Sequence, residues 1–388
     1  MLQLSRLPQN ISYFLRGTQH FFRFRHHLVF NWTLILLLVY QDKATLQGLS
    51  RMGPKHICEW HLRRLLCASY WCWRTVLWWF VEAVLQVLPP AQDGVVLLIV
   101  DGTYKEKTAK KHPLVKKARL DAYSGYFRGL QILIVMLQWG PYRIPIDFEI
   151  VHPKTAPHYQ RPNALFRQML QAFVPPAWAQ TVIVVADAGF PAKDPLRLIQ
   201  KRGSFFVMSL ARTWKFADNH TLKNWVTHLP KHLYRKTWFT PVPQKRRIYW
   251  SYIDRKCLRH IGDVTLVLSK KRRNDSPKQT KILVTNLPEA TAQQVIALYT
   301  RRWDVELLIK ELKSVTGLGQ AQVTQHPERV ERSVALSLMA YLLLIRFRYR
   351  DIPLQGPWSA FTLKRNFAWH VAQQQIEHTV RLNLKKAA

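Results

Sequence analysis

Residues 95–101 read Val95-Val96-Leu97-Leu98-Ile99-Val100-Asp101, six consecutive apolar residues followed by an acidic one. A short aliphatic run of this kind is typical of a strand that is buried on both faces of a sheet. A second apolar run, residues 182–186, is followed by Asp187. Because parallel strands end at the same edge of a sheet, the two carboxylates are predicted to converge there.

Asp101 and Asp187 would repel each other at such an edge unless a cation lay nearby. Carboxylate oxygens are the ligands that a hard divalent cation such as Mg²⁺ prefers. The pair is therefore a candidate metal site, although either residue alone could simply cap the turn that follows its strand.

The charge balance of the 388-residue chain points to a polyanionic partner. There are 58 Lys and Arg against 23 Asp and Glu, a formal net charge of +35 at pH 7. Nucleic acid is the expected partner, and an anionic membrane surface is the rival. Wholesale disorder is excluded because 48% of the residues are hydrophobic. Residues 29–40 and 71–90 are predicted to be core helices, since the first run is too short to span a membrane and charges interrupt the second.

The apolar pattern divides the chain into helical and strand-rich parts. Residues 1–90 are predicted to be helical, and residues 44–66 outline a helix-turn-helix, although an ordinary helical bundle explains them equally well. The order that follows is β-β-β-α-β-α-β, with Asp101 closing the first strand and Asp187 the fourth. The later elements are predicted at residues 129–139, 142–151, 162–173, 181–186, 193–201 and 204–210.

A basic segment, residues 212–285, then interrupts the order. It holds 18 Lys and Arg but only 4 Asp and Glu, and short strands are predicted within it at residues 247–253, 263–269 and 281–285. Three basic stretches are candidate contacts for a DNA backbone, or else solvated surface: residues 105–119, 245–247 and 270–273. Helices return at residues 291–313 and 328–346, and the end of the chain, residues 384–388, is predicted to fray.

One face of the predicted helix 291–313 carries an unusual polar set. Its members stand at offsets of 0, 3, 7 and 14 residues: Tyr299, Arg302, Glu306 and Lys313. At about 100° per residue these offsets place all four along one stripe of a single helix, a face that suits a phosphate backbone. A solvated, salt-bridged face explains the spacing equally well, and a second helix starting at Trp303 would break the stripe.

The same four residues, spaced Y-x2-R-x3-E-x6-K, resemble the YREK signature of transposases from bacterial insertion sequences. The segments around Asp101 and Asp187 look like the two acidic motifs of that group, and residues 94–320 carry the resemblance. It implies an α/β fold with an RNase H-like core, a mixed β-sheet flanked by helices. A helical N-terminal domain would precede the core, and a β-rich insertion would come before the last catalytic helix.

The resemblance also implies roles for the site residues. Three would be catalytic and hold two Mg²⁺ (or Mn²⁺) ions: Asp101, Asp187 and Glu306. Three would contact DNA phosphates: Tyr299, Arg302 and Lys313. The implied enzyme binds transposon ends, cleaves them by metal-dependent phosphodiester hydrolysis and transfers the 3′ ends to target DNA. The alternatives are a non-catalytic, domesticated DNA-binding protein and an RNase H-like nuclease without strand transfer.

Domain boundaries and partners follow from the same interpretation. The chain is predicted to begin with a helical DNA-binding domain (residues 1–90) and the first part of the core (91–211). The basic insertion (212–285), the last part of the core with the YREK helix (286–350) and a tail (351–388) follow. The expected partners are double-stranded DNA and a second copy in a synaptic homodimer, with no membrane partner. A location in the bacterial cytoplasm, at the nucleoid, is expected.

Overall fold

The protein is built on a mixed β-sheet with helices packed against it, as seen in a computed structural model. The structure describes residues 4–107, 112–119, 126–242, 245–320, 326–351 and 358–387. The helices are α1 Gln9–Arg16, α2 Phe24–Val39, α3 Leu46–Met52, α4 Glu59–Cys67, α5 Trp73–Leu85, α6 Pro162–Ala172, α7 Lys193–Lys201, α8 Leu222–His228, α9 Ala292–Thr300, α10 Trp303–Val315, α11 Pro327–Arg346 and α12 Ala360–Ala387.

Ten strands of the described residues form one sheet in the order β2-β3-β1-β5-β6-β10-β9-β8-β7, with β4 paired to β3. They are β1 Val95–Glu106, β2 Lys116–Arg119, β3 Tyr126–Trp139, β4 Tyr142–Val151, β5 Thr181–Ala186, β6 Phe205–Ser209, β7 Arg235–Val242, β8 Lys245–Leu258, β9 Gly262–Lys270 and β10 Lys281–Thr285. The predicted α/β class, a mixed sheet flanked by helices, is confirmed.

The centre of the sheet consists of three parallel strands, β1, β5 and β6, and β1 pairs directly with β5. Val95 pairs with Thr181, and the register continues to Val100 opposite Ala186. Both strands bury their apolar runs, which is why they read as continuous hydrophobic sequence instead of alternating. Asp101 and Asp187 are the next residues on the two neighbouring strands, so the fold brings them to the same edge.

The prediction that β1 ends at Asp101 is wrong. The strand continues to Glu106, because β3 keeps pairing with it from Asp101 opposite Ile134 to Glu106 opposite Gly129. Its parallel neighbour β5 has already ended at Ala186. Asp101 therefore lies within a strand that is paired on one side and open on the other.

Of the helices before the sheet, α2, α4 and α5 pack on α11, and α5 also packs on the sheet. Helix α2 is buried on nearly all its faces, and α5 packs on α11 and β4. Arg74 of α5 fixes that contact, because its Nη1 lies 2.8 Å from each carboxylate oxygen of Asp147 and its Nη2 lies 2.6 Å from Glu149 Oε1. In the described residues no helix is long and apolar enough to cross a membrane.

The strands of the basic insertion extend the central sheet. Strand β10 pairs antiparallel with β6 on one side and with β9 on the other, and β8 and β7 follow outward. Helix α9 contacts β5 and β6 of the core and also β7, β8 and β9 of the insertion. Main-chain hydrogen bonds therefore connect the insertion to the core.

The single helix predicted at residues 291–313 is instead two helices, α9 and α10. At the junction the N–H groups of Arg301, Arg302 and Asp304 bond to carbonyls three residues earlier, a tighter turn than the α-helix. Tyr299 thus belongs to α9, Arg302 precedes α10, and Glu306 lies within α10. The predicted one-helix stripe is wrong, because α9 packs on β5–β10 while α10 packs on β1, β4, α11 and α12.

The frayed end predicted at residues 384–388 is also wrong as far as residue 387, and residue 388 lies outside the described residues. Residues 360–387 form helix α12, which packs on α2, α10 and α11. Leu363, Phe367 and Val371 are buried in its first half at helical spacing, and this apolar stripe explains why the segment folds onto the core.

Candidate active site

The candidate site lies where β1, β5 and the α9–α10 junction meet. Two carboxylates come from the sheet, Asp101 from β1 and Asp187 from the residue after β5. A third, Glu306, comes from the first turn of α10. Three elements from distant parts of the sequence thus bring acidic side chains to one edge of the sheet.

Arg302 joins two of these acids. Its Nη1 lies 2.8 Å from Asp101 Oδ2 and also 2.8 Å from Glu306 Oε1. The guanidinium is almost fully buried, with 7% of its side chain exposed, whereas the Glu306 side chain is 38% exposed. Because Asp101 Oδ2 and Glu306 Oε1 both lie 2.8 Å from the same nitrogen, the two carboxylates face each other across Arg302.

Tyr299 and Lys281 hold the third acid. The Tyr299 hydroxyl donates to Asp187 Oδ1 at 2.8 Å, and Lys281 Nζ donates to the Tyr299 oxygen at 3.0 Å. The ammonium lies 4.0 Å from Asp187 Oδ1, so the pair is ionic without a direct hydrogen bond. Lys281 was missed in the sequence analysis because only the paired strand order shows that the start of β10 lies at this edge.

The two aspartates have opposite electrostatics. Burial raises the pKa of Asp101 to about 6, and the nearby Glu306 and Asp187 charges add to this rise while Arg302 opposes it. Burial would also raise the pKa of Asp187, but hydrogen bonds from Tyr299 and the Ala188 N–H, with the Lys281 and Arg302 charges, lower it overall. The surroundings of Asp101 therefore disfavour its ionised form, whereas those of Asp187 favour it.

Lys313, the last residue of the predicted stripe, lies farther along β1. Its Nζ donates to the main-chain oxygen of Tyr104 at 3.2 Å, three residues beyond Asp101. Burial lowers the pKa of Lys313, and the charge of Lys105 adds to this. Lys313 thus contacts the strand that carries Asp101 without touching any of the three carboxylates directly.

Polar contacts outside the site hold α10 against the sheet. Gln138 of β3 donates to Asp304 Oδ2 at 2.5 Å in the first turn of the helix. Glu311 accepts hydrogen bonds from the Tyr341 hydroxyl at 2.6 Å, from Trp358 Nε1 at 3.1 Å and from Arg143 at 3.3 Å. The helix that carries Glu306 is therefore fixed near both of its ends.

The three acids match a hard divalent cation by donor type, because carboxylate oxygens are its preferred ligands. Burial raises the pKa of Asp101, so a cation placed beside this carboxylate would stabilise its ionised form. In this arrangement the Arg302 guanidinium lies between Asp101 and Glu306, and no three acidic, His or Cys side chains of the described chain form a metal-holding group. Arg302 contacts one oxygen of Asp101 and one of Glu306, and the other Asp101 oxygen accepts from the Gly102 N–H at 2.7 Å.

The basic stretches predicted to contact DNA are described in part. Arg247 is exposed on β8, residues 271–273 are exposed after β9, and Lys270 is buried. Lys107 donates to the Gly319 oxygen at 2.9 Å, and burial lowers its pKa to about 8. Residues 108–111 and the side chains at positions 119, 245 and 246 lie outside the described residues.

Comparison with known proteins identifies the family. Residues 99–343 match the family described as transposase DDE domain, a match that covers more than half of the chain. The fold is similar to that of piggyBac transposase, seen in a cryo-EM structure of its synaptic complex with hairpin DNA. The TM-score is 0.50 at 11% sequence identity, covering 91% of this chain and 72% of that chain. No curated protein matches the chain.

The class of protein is therefore a transposase with an RNase H-like fold. The chain belongs to the DDE transposase domain family, whose members act in DNA transposition and recombination.

Proposed function

We propose that the protein is the transposase of a bacterial insertion sequence, of the YREK group, which cleaves the ends of its element and joins their 3′ ends to target DNA. The observation that supports this most directly is the pair of contacts of Arg302, which link Asp101 of the sheet to Glu306 of α10. A structural role for one Asp at a strand end would not require a second acid from a helix two hundred residues away.

In this proposal Asp101, Asp187 and Glu306 hold two divalent cations, Mg²⁺ or Mn²⁺. Such ions supply an activated water or 3′-hydroxyl and stabilise the leaving oxygen of the displaced strand. Tyr299 and Lys281 orient the Asp187 carboxylate, and buried Arg302 keeps Asp101 and Glu306 facing one another. When the acids bind metal, Arg302 would turn one of its N–H groups toward a DNA phosphate. Lys313, which lies beside Tyr104 of β1, would bind a phosphate of the same DNA strand.

The partner in this proposal is double-stranded DNA, both the element ends and the target. The formal net charge of +35 supports a polyanionic partner, and the structural neighbour was determined with hairpin DNA. Bringing two ends together calls for a homodimer in the synaptic complex, and an insertion sequence places the protein in the bacterial cytoplasm. Residues 1–90 would bind the ends, and the basic stretches 245–247 and 270–273 of the insertion would contact the backbone.

The test uses the protein with supercoiled DNA that carries the coding sequence and its flanks, in Mg²⁺ or in EDTA. We expect wild-type protein to release the element and to yield joined products in Mg²⁺ only. Glu306→Gln should abolish both steps while it still binds DNA. Glu328→Gln is the matched control, because this exposed glutamate lies in the first turn of α11, away from the site.

Each result has a distinct meaning. Cleavage by Glu306→Gln at the wild-type rate would refute the assigned site. Metal-dependent cleavage without joined products would support the nuclease alternative. DNA binding with no cleavage by the wild-type protein would support the non-catalytic alternative.

A further inference from the structure

Lys281 is the first residue of β10, and two features fix it beside Asp187. Strand pairing places it opposite Ser269 of β9, at the end of β10 that lies on the active-site edge. Arg212 clamps the turn just before it, because its Nη2 donates to the main-chain oxygens of Pro277 and, at 2.9 Å, of Thr280. The Lys281 backbone is thus held from both sides.

The Lys281 ammonium is the more accessible of the two cations that contact the acids. Its side chain is 46% exposed, whereas that of Arg302 is 7% exposed. An ammonium carries three N–H donors, and the Tyr299 hydroxyl accepts only one of them. Capacity therefore remains for an acceptor that arrives from the solvent side.

A phosphate that approaches the three carboxylates meets electrostatic repulsion unless cations offset it. Arg302 bonds directly to Asp101 and Glu306 and acts on Asp187 through its charge alone, whereas Lys281 Nζ lies 4.0 Å from Asp187 Oδ1. Its contact with Tyr299 fixes the ammonium at this position in advance, which reduces the entropy lost when it binds a phosphate.

We propose that Lys281 is a DNA-binding residue, outside the YREK set, which contacts a backbone phosphate on the Asp187 side of the site. This inference rests on the proposed function, since it requires a DNA strand at the acids. Lys281 adds a fourth member to the three DNA-contacting residues that the family resemblance implies, and it acts from the end of the basic insertion.

The test measures how DNA affinity depends on salt. Each phosphate neutralised by a protein cation contributes about 0.9 to the slope of log affinity against log salt. Fluorescence anisotropy would follow the binding of the full-length protein to a labelled duplex copied from the DNA flanking the coding sequence. The titrations are run in EDTA over a series of KCl concentrations, so that cleavage does not contribute. The variants are Lys281→Gln, Lys281→Arg and Lys256→Gln.

Lys256 is a matched control, because it is 40% exposed and paired with Asp254 at 3.0 Å. It lies opposite Val264, five residues of β9 away from Ser269, or about 17 Å along the strand. Thermal unfolding of each variant establishes that it is folded, and Lys281→Arg keeps the charge if the glutamine variant is unstable.

We expect Lys281→Gln to reduce the magnitude of the slope by about 0.9. Lys281→Arg should keep the wild-type slope, as should Lys256→Gln. Equal slopes for wild type and Lys281→Gln would overturn the inference and leave the proposed function intact, as would an equal loss in the two glutamine variants. Salt-insensitive or absent binding by the wild-type protein would overturn both.

Discussion

Replacing Asp101 by Asn should stabilise the protein when no divalent metal is present, and more so as the pH rises. The pKa of Asp101 is about 6 in the folded protein against an ordinary value of 3.8. A difference of about two units corresponds to about 3 kcal/mol at 1.36 kcal/mol per unit, the cost of ionising this carboxyl in the folded state. Asn resembles the neutral carboxyl in shape and avoids that cost.

The pH dependence follows from the direction of this shift. Below pH 3.8 the carboxyl is protonated in both the folded and the unfolded protein, so the wild-type protein and the Asp101→Asn variant should differ little in stability. Between pH 3.8 and about 6 the unfolded state loses the proton first, and the wild-type protein is progressively destabilised. Above about pH 6 the penalty is complete.

Urea unfolding in EDTA at pH 5, 6, 7 and 8, about the range over which the folded carboxyl titrates, measures the difference between wild type and Asp101→Asn. We expect an advantage for the variant that grows to about 3 kcal/mol at the highest pH. Asp194→Asn is the control, since its side chain is 65% exposed and its effect should stay within about 0.5 kcal/mol. A variant no more stable than wild type at pH 8, or a pH-independent difference, would refute the reasoning.

Three further predictions concern the supports of the site and its cation. Arg74→Met should cost about 3–5 kcal/mol of stability at pH 8, because it leaves buried Asp147 without its partner. This loss should shrink below pH 6, since burial raises the pKa of Asp147 to about 6, and urea unfolding at two pH values measures it. Glu311→Gln should lower the stability of the protein by about 2–4 kcal/mol, because Arg143 and Tyr341 lose a charged acceptor whose side chain is only 15% exposed. Thermal unfolding measures this loss, and the control variant Glu328→Gln should show no change. The affinity for Mn²⁺ should fall as the pH drops through about 6, because the cation must displace the proton of Asp101. The paramagnetic signal of free Mn²⁺ measures this affinity, and an affinity that stays constant between about pH 5 and 8 would contradict the prediction.

Much of the central sheet could be predicted from the sequence. The bounds predicted for β4, β5, β10 and α7 agree with the structure. These elements are apolar or amphipathic runs bounded by turn residues, such as Gly140, which has φ of +48° in the hairpin between β3 and β4. Asp101 and Asp187 were predicted to lie at one edge because parallel strands end together, and the pairing of Val100 with Ala186 places them there.

Other features depend on tertiary contacts that leave no local pattern. The break between α9 and α10 falls at residues 301–302, where the sequence has neither Gly nor Pro. Packing against different parts of the protein sets that break. Even so, it keeps Tyr299 at Asp187 and Arg302 at Asp101, contacts that helical periodicity alone could not assign. The roles of these residues in catalysis and DNA binding stay predictions.

The continuous hydrogen bonding from β6 through β10 to β9 limits how the protein can respond to a bound duplex. A flap on a flexible linker could close over DNA without disturbing the acids. Here any rotation of the insertion must twist the strands that end beside Asp187, so mechanical load applied at β7 and β8 is transmitted to the carboxylates through the backbone. In the proposed function, contact between the insertion and a duplex would therefore be coupled to the alignment of the carboxylates.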